Sequence, residues 1–324
     1  MPEQQQQTTA ATQPAMALPK GIWAPTQVFF LPTPTADLDL PTTAAHAVRL
    51  ARAGVAGIAA HLSPAERAQV TRATRDALDA AGFAHVPVMA GASDQSVRGT
   101  LALIDDARRA GAVAALVLSA SFFRWAMDGR GVEAYFRAVA DQSALPVVIY
   151  NYPGAVAGLD LDSDLLLRLA GHRNIAGTKF TCGNIGKLAR VARGTAAGRG
   201  EYRCFSGVAD AITPALAVGG HGGIVGAANV FPRACVNMYR LGVEGKVEEA
   251  RAAQQQLAAA DWALTKRAIP GFKSILQKYH GYGGIPRLPV LPISAEEEGK
   301  LFAEIQEMIG VEESLPDFGS PSQP

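Results

Sequence analysis

LPVVIYNYPGAVAGLDLDSDLLLRLAGHRNIAGTKF, residues 145 to 180, is the stretch that decides the fold. Two short apolar runs, 146–150 (PVVIY) and 175–180 (IAGTKF), bracket a leucine-rich segment at 162–170 with helical spacing. Near-continuous apolar strands are buried on both faces, as in a parallel sheet, and a helix must carry the chain back between parallel neighbours. The same alternation extends both ways. Strands are expected at 27–31, 55–60, 86–91, 113–118, 203–206 and 222–226, and helices at 42–53, 64–81, 95–110, 131–142, 184–193 and 209–218. Eight strands in sequence with short connections favour an α/β fold of the (β/α)8 TIM-barrel type over an open doubly wound sheet. The barrel is assigned to residues 21–230 and a C-terminal helical extension to 231–313, with GYGGIPR (281–287) as a loop within it. The polar ends, 1–20 and 314–324, are expected to be disordered.

Composition removes several classes of function. Lys plus Arg total 30 against 29 Asp plus Glu, so no bulk field draws the chain to nucleic acid or anionic lipid. No apolar run is long enough for a membrane span. The three cysteines, Cys182, Cys204 and Cys235, make no close pair, which suits a reduced intracellular setting. No histidine or cysteine spacing indicates a metal site. The first 20 residues contain no arginine, unlike a mitochondrial transit peptide, so the expected compartment is the cytoplasm. The glycine cluster GGHGGIVG (219–226) does not satisfy G-x-G-x-x-G and precedes a strand, so dinucleotide binding is set aside and a tight turn is read instead.

Lys179 stands in the middle of an apolar run. It is either an edge-strand lysine pointing to water or a desolvated amine with a lowered pKa, ready to attack a carbonyl. In a barrel, reactive groups sit at the C-terminal ends of strands. Tyr150 ends the preceding strand and could shuttle protons to a ligand that Lys179 also reaches. It could equally be a core aromatic with a satisfied hydroxyl.

PVVIYNYPG (146–154) and NIAGTKFTCGN (174–184) resemble the paired Y-N-x-P and G-x-K signatures of the dihydrodipicolinate synthase/N-acetylneuraminate lyase family. LSPAER (62–67), FSGVAD (205–210) and GGHGGIVGAANVFP (219–232) resemble further family segments, so the likeness runs from about Gly21 to Gly310. The resemblance implies a homo-oligomeric (β/α)8 barrel, tetramer or dimer, that acts on a small 2-oxo acid. It implies Lys179 as the Schiff-base lysine, Tyr150 as the catalytic tyrosine, and Gly207 and Ile224 as substrate-binding residues. No metal or organic cofactor is implied.

Four features refine that expectation. Ala155 stands where dihydrodipicolinate synthases usually carry an arginine, and a methyl group cannot hold a second substrate's carboxylate. AIPGFKSILQKYHGYGGIPRLPV (268–290) instead resembles the 4-hydroxy-2-oxoglutarate aldolase-like branch. The implied reaction is retro-aldol cleavage of 4-hydroxy-2-oxoglutarate or a 2-keto-3-deoxy sugar acid, releasing pyruvate or glyoxylate. The family's G-[TS]-[TN]-G-E loop after strand two is missing, since Gly57-Ile58-Ala59-Ala60-His61 runs straight into Leu62. In SASFFRW (119–125), Phe122 and Phe123 replace a tyrosine that usually reaches across a subunit interface. Two readings stay open: a mis-spliced or incomplete rendering of an active aldolase, or a degenerate homologue that binds keto acids weakly, takes another substrate or serves as a scaffold. His61 is either a substitute donor beside the lost loop or a strand-end residue facing solvent.

Overall fold

The computed structural model describes residues 17–58, 62–198 and 201–321. Eight strands make the sheet: β1 (Gly21–Ala24), β2 (Gly57–Ile58), β3 (Met89–Gly91), β4 (Ala114–Leu118), β5 (Val147–Asn151), β6 (Ile175–Phe180), β7 (Arg203–Ser206) and β8 (Gly222–Ile224). All named pairings are parallel, in the order β2-β1-β8-β7-β6-β5-β4-β3, and β2 lies beside β3 to complete the circle. Around them run α1 (Leu40–Arg52), α2 (Pro64–Ala80), α3 (Val97–Arg109), α4 (Gly129–Gln142), α5 (Ser163–Ala170), α6 (Ile185–Ala196), α7 (Ile212–Ala217) and α8 (Pro232–Val243). α8 falls within the span 231–313 assigned to the extension, and two longer helices, α9 (Val247–His280) and α10 (Ala295–Ser314), follow it there. This is the (β/α)8 barrel with a helical extension.

Local chemistry sets the helix starts. Ser63 at the N-cap and Glu66 in the first turn of α2 form a reciprocal capping box, an arrangement worth about 1 kcal/mol where a helix leaves a loop. Asp162 accepts the Leu165 N–H at 2.8 Å and starts α5, whose Leu165, Leu166 and Leu169 are buried against the sheet. Trp23, Met89, Ala114, Leu116, Val148, Ala176, Phe205 and Ile224 fill the barrel interior, with Tyr150 packed against them.

The first strand is not 27–31 but Gly21–Ala24. GIWA fits because Gly222 of β8 approaches β1 so closely that a Cβ there would lie 2.0 Å from the Gly21 carbonyl oxygen. The more apolar QVFFL is a loop with one antiparallel bridge, Phe30 to Leu38. Its Phe29 is buried edge-on against His46 and Tyr282. Apolar content marked burial there, not pairing.

Both tails depart from the expected disorder where they are described. Leu18 is buried, its carbonyl accepts from Arg203 Nε at 2.8 Å, and the Pro19 carbonyl accepts from the Trp23 indole at 3.2 Å. At the other end Asp317 pairs with Arg233 at 2.8 Å, Arg240 lies over the Phe318 ring, and the Gly319 N–H bonds Arg52. The rest of the expected tails, 1–16 and 322–324, lies outside the described residues, as does the junction 59–61 with Ala60 and His61. Among the described residues no helix is long and apolar enough to cross a membrane.

Candidate active site

Lys179 is not an edge residue. It lies near the C-terminal end of β6, between β5 and β7, paired in register with Tyr150 on one side and Phe205 on the other. Its inward direction depends on an irregularity. Val147 pairs with Ile175 but Val148 pairs with Gly177, so Ala176 is an extra residue in β6. A one-residue bulge shifts every later side chain to the opposite face. Ala176 therefore packs in the interior, Thr178 turns outward to the Tyr202 hydroxyl at 2.5 Å, Lys179 turns inward, and Phe180 joins the outer core. Only glycine fits at 177, where a Cβ would stand 2.4 Å from the Arg203 carbonyl oxygen.

The Lys179 side chain is 4% exposed, and its amine sits 4.0 Å from the centre of the Tyr150 ring. Among the described residues no carboxylate pairs with it. Burial alone pulls the amine down to a pKa of about 7, because a charged ammonium loses its hydration there. The Tyr150 phenol moves the other way, to about 12, mainly through burial. The Thr181 hydroxyl partly offsets that shift, yet its geometry falls short of a formed hydrogen bond and Thr181 Oγ1 is left buried without a partner. Tyr152, more exposed, stacks on Tyr150 with centroids 5.6 Å apart.

Gly207 and Ile224 are placed differently. The Gly207 N–H donates to the Phe180 carbonyl at 2.9 Å. A Cβ on it would lie 1.9 Å from Thr181 Oγ1, so its bare backbone is what leaves room for that hydroxyl. Ile224 is fully buried in the interior cluster beside Phe205. Lys179 and Tyr150 are thus in direct contact, Gly207 reaches them through Thr181, and Ile224 belongs to the shared apolar wall.

Sequence reasoning passed over three supports. Asn151 donates to Asp160 at 2.9 Å and accepts from the Leu161 N–H at 3.1 Å, and the buried Lys187 pairs with Asp160. These bonds lock the turn that follows Tyr150. Thr181 follows Lys179 by two residues, and only the Gly207 approach marks it as enclosed. Asp261 and Gln254 reach the segment after β7 from α9, where nothing in their sequence neighbourhood signals it.

The Dihydrodipicolinate synthetase family model matches residues 47–308. The chain belongs to that family. An L-threo-3-deoxy-hexylosonate aldolase of Hypocrea jecorina is 50% identical, covering 92% of this chain and 99% of its own. A probable 4-hydroxy-2-oxoglutarate aldolase, mitochondrial, of Emericella nidulans is 43% identical over 91% of this chain and 96% of its own. Among solved structures, YagE of E. coli K12 in complex with pyruvate superposes with a TM-score of 0.81 at 28% identity, covering 90% and 99% of the two chains. Within the Dihydrodipicolinate synthetase family, both curated relatives carry aldolase names, in line with the branch expected from residues 268–290. The Emericella relative is named as mitochondrial, so cytoplasm stays a sequence-based expectation for this chain.

Proposed function

We propose that this chain is a Schiff-base aldolase of 2-oxo acids, with Lys179 as the nucleophile and Tyr150 as its proton carrier. The observation that carries the reading is a buried amine, lowered to about 7 by desolvation, against a tyrosine ring 4.0 Å away. The neutral amine attacks the C2 carbonyl carbon, and water leaves with the carbonyl oxygen. The protonated imine accepts the electron pair released as the C3–C4 bond breaks, while the C4 hydroxyl loses its proton and becomes an aldehyde. Tyr150 passes protons during loss of water and of the C4 hydroxyl proton; C3 of the resulting enamine then takes up a proton, and water hydrolyses the imine to release the 2-oxo acid and free the amine. Gly207 and Ile224 border the substrate, through backbone and apolar side chain. The Hypocrea relative's name favours a 2-keto-3-deoxy sugar acid over 4-hydroxy-2-oxoglutarate. A six-carbon acid of that kind would leave pyruvate and a three-carbon hydroxyaldehyde.

The pH dependence of imine formation tests this reading. With the amine at about 7, half is neutral near pH 7. The rate of borohydride trapping with pyruvate is expected to fall about tenfold per unit below pH 6 and to level off above pH 8. An ordinary solvent-exposed lysine would keep gaining rate towards pH 10, and that profile would contradict a desolvated nucleophile.

The chain is also expected to self-associate. Phe122, Phe123 and Trp125 follow β4 and are 75%, 54% and 85% exposed, with their rings in edge-on contact. Contiguous exposed aromatics of this kind mark interaction surfaces. Sedimentation at micromolar concentration is expected to show a dimer or tetramer, and Trp125→Glu to shift it towards monomer. A wild-type chain that sediments only as monomer would rule out this interface.

A further inference from the structure

The C-terminal extension holds the segment after β7 from one face of α9. Gln254 and Asp261 are two turns apart on α9 and share a face. Asp261 Oδ2 accepts the N–H groups of Ala209 and Asp210 at 3.0 and 3.2 Å. Gln254 accepts the Thr213 N–H and donates to the Ala209 carbonyl, both at 2.8 Å. Four backbone groups in the segment just after Gly207 are therefore held by two α9 side chains.

That segment bears on the reactive pair. It begins two residues beyond the point where Gly207 closes over Thr181, and the Thr181 N–H in turn donates to the Asn151 carbonyl at 3.0 Å, one residue beyond Tyr150. Asp261 is nearly fully buried, and no cation bridges it among the described residues. Burial and the neighbouring Asp210 carboxylate push it up to about 6, and the two N–H bonds pull it back. The Cys235 thiol of α8 also faces it and, raised by burial, stays neutral. A buried carboxylate that opposes another carboxylate is a costly way to cap a turn. Its return lies in how firmly it fixes that turn.

We infer that Asp261, assisted by Gln254, is a positioning residue: it holds the Gly207–Thr213 segment so that Gly207 and Thr181 keep the end of β5, and with it Tyr150, in place for proton transfer at the Lys179 imine. The inference rests on the aldolase reading of that site. It separates two readouts, because the final stoichiometry of trapping needs only the Lys179 amine, whereas the rate of proton exchange at C3 of the bound keto acid needs the relay.

The test measures both steps on the full chain with pyruvate, by borohydride trapping and by deuterium exchange into the methyl group in D2O, followed by NMR. Asp261→Ala is expected to slow exchange about 10- to 100-fold, the scale of a misplaced catalytic group, while trapping stoichiometry holds. Asp261→Asn, which keeps an oxygen acceptor, is expected to return exchange to within about threefold of wild type. Where Asp261→Ala does not fold, Gln254→Ala serves as the second variant, with exchange expected to slow about tenfold. Exchange unchanged in the foldable variant, exchange and trapping falling together, or a trapping wild type without exchange would each overturn the inference. A wild type that does not trap pyruvate overturns the aldolase reading itself.

Discussion

Lys179→Ala is expected to abolish borohydride-dependent labelling by pyruvate, and wild type to carry one reduced adduct on the peptide containing Lys179. The expectation follows from burial. Among the described residues Lys179 and Lys273 are both buried and both lowered, Lys273 to about 8. They differ in what surrounds the nitrogen. Lys273 donates to the carbonyls of Val28 and Gly283 at 2.7 and 3.2 Å, so its lone pair is tied up by a proton that those bonds retain. Among the described residues Lys179 has no hydrogen-bond acceptor and lies against the Tyr150 ring, which stabilises a cation weakly compared with lost hydration. Its amine can shed the proton and attack. Lys179→Met is the companion variant, since it keeps the side-chain volume and removes the amine. Mass spectrometry of trapped, digested protein decides the matter. An adduct on Lys273, or one that persists in Lys179→Met, would remove Lys179 from the mechanism.

Restoring the missing loop is expected to produce the largest gain. The family's G-[TS]-[TN]-G-E run would supply hydroxyl and amide donors for the keto-acid carboxylate at the strand ends, where ligands of barrels bind. Each preorganised donor of this kind is typically worth about 10²–10³ in rate. A general acid–base relay is worth about 10²–10⁴, and Phe123 offers neither proton nor lone pair. We therefore expect the chain as given to trap pyruvate slowly and to cleave 4-hydroxy-2-oxo acids weakly or not at all. Gly-Thr-Thr-Gly-Glu with short flanks inserted between Ala60 and His61, together with Phe123→Tyr, is expected to raise cleavage by about 10²–10⁴ on these grounds. Aldehyde release followed by a coupled dehydrogenase is the measurement. An unmodified chain that already turns over at about 1–10³ s⁻¹, ordinary for an enzyme, would show that the loop is dispensable.

The sequence by itself determined the alternation of strands and helices, and with it the barrel. Val147-Val148-Ile149 and the leucines of 165–169 can be buried in only one kind of layered arrangement, because strand and helix periods expose different faces. It also singled out Lys179 and Tyr150, since a lysine inside an apolar run and a tyrosine at a strand end are visible without any fold. The tertiary structure decided the rest. Apolar content could not say that 27–31 is a loop and Gly21–Ala24 a strand, because pairing depends on the approach of β8, which Gly222 alone permits. Nor could it say that Lys179 faces inward. Strict alternation from the interior Ala176 would have turned the amine outward, and the bulge before Gly177 reverses it. Gly177 was legible as a letter, but its reason, the Arg203 carbonyl pressed against it, comes from β7, 26 residues further along the chain. The holds on the site from Asp160, Lys187, Gln254 and Asp261 were silent for the same cause: hydrogen bonds between distant elements leave no local period in the sequence.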